Sequence, residues 1–169
     1  MAIRHPIMPE PVTRSFDTWS DYRSALLEML GQAQSTLLLA DPDLRETGFE
    51  SSAGVEALTA LLQRSAQPLA IRILLKDAAY LEQHCPRLLG LLARFSQRMV
   101  VRVASDVRAV PDAPFAIADG KDLVIRFHHE RARGKHCTDD PQSTSVHVAQ
   151  FETLWTSGET GPNGVQLGL

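Results

Sequence analysis

The densest run of side chains capable of chemistry is Arg126-Phe-His-His-Glu-Arg-Ala-Arg-Gly-Lys-His-Cys137. It holds four Arg or Lys against one Glu, a local charge of +3 in a chain of net charge -3, so the remainder carries -6. Segregated positive charge of this kind can bind phosphate or carboxylate groups. Arg126 would end a buried strand, which fixes its guanidinium, and its fork suits an oxyanion. His128, His129, Arg131, Arg133 and Lys135 would add field, the histidines more strongly as pH falls. The competing reading is a solvated loop whose arginines pair with Glu130, Asp139 or Asp140. A second polar group follows the apolar runs: Asp41, Asp43 and Arg45 after the first, Lys76 and Asp77 after the second, Ser105-Asp106 after the third. In an open α/β sheet such residues share the rim at the carboxyl ends of the strands, where ligands bind.

Other chemistry is excluded by spacing. The six histidines are His5, His84, His128, His129, His136 and His147, and none stands in an HxxxH or CxxC-type arrangement. No metal site is expected. Cys137 lies beside Lys135 and His136, where positive charge favours a thiolate, but no orienting partner accompanies it. There is no GxxxxGKS/T loop, no GxGxxG and no GxSxG elbow, so no cofactor is expected either.

The elements that must hold these residues alternate along the chain. Residues 1–14 hold three prolines and no periodicity, and read as an irregular arm. Asp17 is the expected cap of a helix carrying Trp19, Tyr22, Leu26, Leu27 and Leu30. Ser35–Ala40 is a short continuous apolar run and Leu69–Leu75 an apolar stretch broken only by Arg72, and both read as strands covered on both faces. A helix with Val55, Leu58, Leu61 and Leu62 separates them. Ala78–Gln97 reads as helical and divided at Pro86. A third strand follows at Met99–Ala104. Phe115–Ala118 and Leu123–Phe127, joined at Asp119-Gly120, read as a hairpin. His128–Ser143 reads as a polar connection before a last helix with Val146, Phe151, Leu154 and Trp155. The expected fold is α/β, with a mixed, mostly parallel sheet between helical layers. One domain over 15–157 with a loose tail over 158–169 is expected.

Composition agrees: 169 residues, 44% hydrophobic, 6% aromatic and 22% charged, as in a globular domain that buries roughly 70% of its unfolded surface. Two cysteines are too few for a disulfide framework. No apolar run reaches a membrane span, and the opening stretch lacks a signal-peptide core, so the expectation is a cytoplasmic protein. The net charge gives no general attraction to nucleic acid or anionic lipid, and neither is expected as a partner.

The hairpin and the ending Phe151-Glu-Thr-Leu-Trp155 resemble one half of the phospholipase D superfamily. Its members carry a late HxKxxxxD strand and a final helix of Phe-x-x-x-Trp-like ending. Asp119-Gly120 resembles the Asp-Gly that closes that strand. Counting back, the histidine position falls on Asp112 and the lysine position on Pro114; the glycine and serine positions that follow fall on Arg126 and Phe127. The resemblance implies a phospholipase D-like fold from which nucleophile and phosphate-binding lysine are gone, and a carboxylate at Asp112 would repel a phosphodiester. The chain also resembles small uncharacterised bacterial domains, some appended to acetyltransferases. Three functions stay open. The leading one is a non-catalytic binding or regulatory module for an anionic ligand or partner protein, able to form a homodimer as active superfamily members pair two units. The second is a phosphodiesterase or nuclease rebuilt around His128, His129 and Asp119. The third is an accessory domain of an acetyltransferase.

Overall fold

The computed structural model describes residues 9–164. In chain order they form β1 (Val12–Phe16), α1 (Trp19–Gln32), β2 (Leu37–Asp41), α2 (Ser52–Arg64), β3 (Ile71–Leu75), α3 (Ala79–His84), α4 (Pro86–Arg94), β4 (Met99–Val103), β5 (Phe115–Ala118), β6 (Asp122–Arg126), β7 (Gly134–Thr138), α5 (Pro141–Ser157) and β8 (Glu159–Thr160). A turn of 3-10 helix, Val107–Ala109, follows β4.

The helices begin where a side chain can take up an orphan N–H. Thr18 accepts from Asp21 at 3.0 Å, Ser51 from Gly54 at 3.0 Å, and Asp140 from Ser143 at 3.1 Å with Pro141 at the first position. Each satisfies a donor that the helix itself leaves unpaired. The α1 cap is therefore Thr18, one residue later than the sequence suggests, because its hydroxyl reaches the third residue on.

One eight-stranded sheet results, in the order β1-β7-β6-β5-β2-β3-β4-β8. β2, β3 and β4 are parallel, Leu37 opposite Ile71 and Ile71 opposite Met99. The helical crossovers between them require this. β5 runs antiparallel to β2, and β5 and β6 form the hairpin around Asp119-Gly120, both residues at positive φ. The mixed α/β architecture is the one read from the sequence, but the sheet is not mostly parallel: only β2-β3 and β3-β4 pair in parallel, and the other five pairings are antiparallel, because β1 and β7 add to the hairpin side and β8 to the far edge.

The two faces of the sheet bury separate cores. One packs Leu37, Leu39, Ile71, Ile73, Leu75 and Val124 against α1, α2 and α4. The other packs Leu38, Ala40, Leu74, Ile117, Leu123 and Ile125 against Phe151, Leu154 and Trp155 of α5. Alternation along β2 decides the side: Leu37, Leu39 and Asp41 face α1, Leu38 and Ala40 face α5. Among the described residues, no helix is long and apolar enough to cross a membrane.

The sequence reading needs three further corrections. Val12–Arg14, assigned to an irregular arm, belong to β1, which pairs with β7 from Val12–Thr138 to Phe16–Gly134. The polar connection contains β7, whose Gly-Lys-His-Cys-Thr sequence hides the strand because burial there comes from β1 and β6 on either side. Gly134 is obligatory at its entrance, since a Cβ would run into the Ile125 carbonyl and the Phe16 ring. In the tail, Glu159 and Thr160 pair with Val103 and Arg102. Residues 9–11, 158 and 161–164 carry no strand or helix, and 1–8 and 165–169 lie outside the described residues.

Leu38 is 6% exposed in the second core. Leu38→Asp is expected to unfold the domain, since an unpaired buried carboxylate costs several kcal/mol against a total of roughly 5–15 kcal/mol. Retained far-UV circular dichroism with an unchanged melting curve would contradict the strand placement.

Candidate functional site at the carboxyl rim of the sheet

β2 ends in Asp41, whose side chain points toward α1 and is buried. Burial pushes the Asp41 carboxyl up, against the pull of the Leu44 N–H, Arg126 and the Asp43 N–H. Those partners are in place: Oδ2 accepts from Leu44 at 2.8 Å and Asp43 at 3.2 Å, and Oδ1 faces Arg126 Nη2 at 3.3 Å. Leu44 adopts positive φ in the turn that delivers its N–H. Arg126 and Asp41 are each 1% exposed.

Arg126 comes from β6, two strands away across β5, a reach of roughly 10 Å. Its guanidinium lies 5.0 Å from the Trp19 ring and 4.8 Å from the Tyr22 ring. Such stacking suits a weakly hydrated, planar cation. Nη1 donates to the carbonyls of His129 at 2.6 Å and Arg131 at 3.4 Å. The residue proposed from sequence as an open anion-binding fork is instead spent inside the protein. It fixes the loop that carries the histidines.

Above this pair lies the rim. Asp112 Oδ1 stands 3.9 Å from Lys76 Nζ and 3.9 Å from His129 Nδ1. His128 stacks on His129 with centroids 4.5 Å apart, and His129 Nε2 is 3.8 Å from Glu130. Arg45 is 3.5 Å from Asp43 and lies over the Tyr80 ring. Arg108 is 3.4 Å from Asp106. The Asp77 carboxylate accepts from the Ala79 N–H at 2.8 Å. The rim thus neutralises most of its cations locally, in exposed pairs worth about 0–1 kcal/mol each.

Several predicted site residues are separated. Arg131 and Arg133 are exposed on the loop. Lys135 is opposite Ile125, whose side chain packs in the α5 core, so it lies on the far face of the sheet from Arg126. Asp119 sits at the opposite end of β6 from His128 and His129. Its two oxygens accept from the N–H groups of Gln34 at 2.9 Å, Ser35 at 2.8 Å and Thr36 at 3.0 Å. A site built from Asp119 with those histidines is ruled out by this distance along the strand. Cys137 is buried beside Thr13. Burial, with Glu50 and Asp43, pushes the other thiol, Cys85, up to about 11, the reverse of an activated nucleophile. Among the described residues no group of three or more metal-ligating side chains converges.

The sequence reading missed the meeting of Asp112 with Lys76 and His129. The one available signal was the placement of Asp112 on the motif's histidine position.

Solved structures of phospholipase D type share this architecture. Nuc from Salmonella typhimurium, a phospholipase D family member, superposes with a TM-score of 0.66 at 12% identity, over 90% of this chain and 99% of its own. NucT from Helicobacter pylori does so with a TM-score of 0.63 at 13% identity, over 90% and 100%. TrmBL2, an archaeal chromatin protein with a novel mode of DNA binding, matches with a TM-score of 0.66 at 16% identity, over 88% of this chain. The chain spans 54% of that protein's length. The fold is therefore phospholipase D-like, as the resemblance implied. Within it, residues 18–166 match the family model of DUF7931, a domain of unknown function, and the chain belongs to that family. No curated protein matches it.

Arg126→Met should cost about 3–5 kcal/mol in urea denaturation, because it strands the Asp41 carboxylate. Adding Asp41→Asn, which still accepts from Asp43 and Leu44, should recover part of that loss; no recovery would show that the pair is not coupled. A pH test concerns the same α1 face. Burial holds His136 below the ordinary imidazole value of 6.5, so the folded state keeps it neutral. Its contribution is full above about 6.5 and is lost as pH falls through the depressed folded value. Stability measured from pH 7.5 downward should drop less in His136→Asn than in the native chain.

Proposed function

We propose that this chain is a non-catalytic module that keeps the phospholipase D-like scaffold for binding or regulation. The observation that carries the reading is Asp112. The resemblance puts the nucleophilic histidine at this residue, and its carboxylate stands beside Lys76 and His129 on the rim. A carboxylate there repels a phosphodiester, and it draws off the cation best placed to hold one. The motif's lysine position is Pro114, which has no charge to offer. Arg126, the strongest anion donor of the region, is committed to Asp41. What remains exposed is a polar rim of matched charges, and this suits a partner protein better than free phosphate. Nuc and TrmBL2 bracket the possibilities on this scaffold, the one a phospholipase D family member and the other a DNA-binding chromatin protein.

The purified chain is expected to show no turnover above background on bis(p-nitrophenyl) phosphate or on single- and double-stranded DNA. Hydrolysis that is abolished by His129→Ala, with the fold intact by circular dichroism, would overturn the proposal.

A further inference from the structure

β1 is the outermost strand at one side of the sheet. Its inner edge pairs with β7, and among the described residues nothing pairs with its outer edge. Every second N–H and C=O of the strand therefore faces solvent. Four of its five residues are exposed and none is proline. Its only charge, Arg14, is drawn back over the sheet to Glu28 at 2.6 Å. The devices that usually block an edge, proline, a bulge or an outward charge, are missing here.

A groove runs beside this edge. Phe16 and His136 form its floor, and α1 forms its wall with Asp21 and Glu28, around a space of about 210 Å³. It continues past Asp17 to the half-exposed Phe127 in a further 300 Å³. Asp17 and Asp21 border it on the helix side outside any ion pair among the described residues, while Glu28 is matched by Arg14 and the cation Arg133 lies at the Phe127 end.

We propose that this edge and groove take an extended segment of a partner protein with basic residues at alternate positions, added to the sheet as a further strand beyond β1. The open main-chain groups of β1 supply the attachment, and the pleat turns every second side chain of the segment toward the acidic wall. A second copy of this chain is a poorer occupant. Two-fold pairing of β1 with itself sets Arg14 opposite Arg14, and like charges directly across a ladder are destabilising. The groove shares none of its lining residues with the meeting of Asp112, Lys76 and His129, and the inference stands whether or not the rim is catalytic.

The test is titration of the isotope-labelled full chain with the end-blocked peptide Lys-Val-Lys-Val-Lys-Val, with Glu-Val-Glu-Val-Glu-Val as control. Expected are amide shifts confined to residues 12–17, the groove side of α1 at Asp21, Ser24, Ala25 and Glu28, and the lining residues Phe127, Arg133, Gly134 and His136, together with slowed hydrogen exchange of outward-facing β1 amides. Asp21→Lys, and separately Asp17→Lys, should each weaken binding about tenfold with the fold intact by circular dichroism. Equal response to both peptides, shifts elsewhere, no binding, or a dimer in sedimentation velocity that already protects the β1 amides would each overturn it.

Discussion

The ion pair between Asp41 and Arg126 is the constraint around which this molecule is arranged. Two opposite charges out of reach of water each carry a desolvation penalty of several kcal/mol, recovered only when nearly every polar atom finds a partner. Here the carboxylate draws in the turn after β2, and the guanidinium draws in the loop after β6. Trp19 and Tyr22 close over the cation from α1. The Tyr22 phenol, raised by its own burial, stays neutral there. One contact thereby ties together two strands, a helix and two loops. It also determines where His128 and His129 stand, since their loop hangs from Arg126 by its carbonyl oxygens.

The rim gains its polar character at this cost, and the pair explains why its basic sequence does not translate into a basic surface. Arg126 is the charge most firmly held and the one least available. Arg131 and Arg133 remain at the loop surface, and Lys135 falls on the other face by strand alternation. Charge that is clustered in sequence is thus divided among an interior, an edge and a reverse face.

The central architecture was legible because its signals are local. The apolar run at 37–39, the stretch at 71–75 broken only by Arg72, helical spacing between them and the Asp-Gly turn each announce an element without outside help. β1 and β7 were not legible. β1 is an edge strand with one buried residue, and so lacks the alternation that marks a covered strand. β7 is buried by its neighbours rather than by its composition. The sequence carries the second hairpin strand to Phe127, one residue past its end at Arg126, and the partner of Arg126 lies 85 residues earlier, where no spacing rule links them. The rim meeting of Asp112, Lys76 and His129 likewise depends on three loops coming together, which only the folded chain specifies.

Asp119 has a consequence of a different kind. Its carboxylate is a staple between the hairpin turn and the start of β2, closing a loop of more than eighty residues through three main-chain N–H groups. A residue with that duty serves the fold without taking part in turnover. The Asp-Gly signature thus marks a point where the architecture is fastened, and a search keyed to it recovers the architecture while saying nothing about turnover.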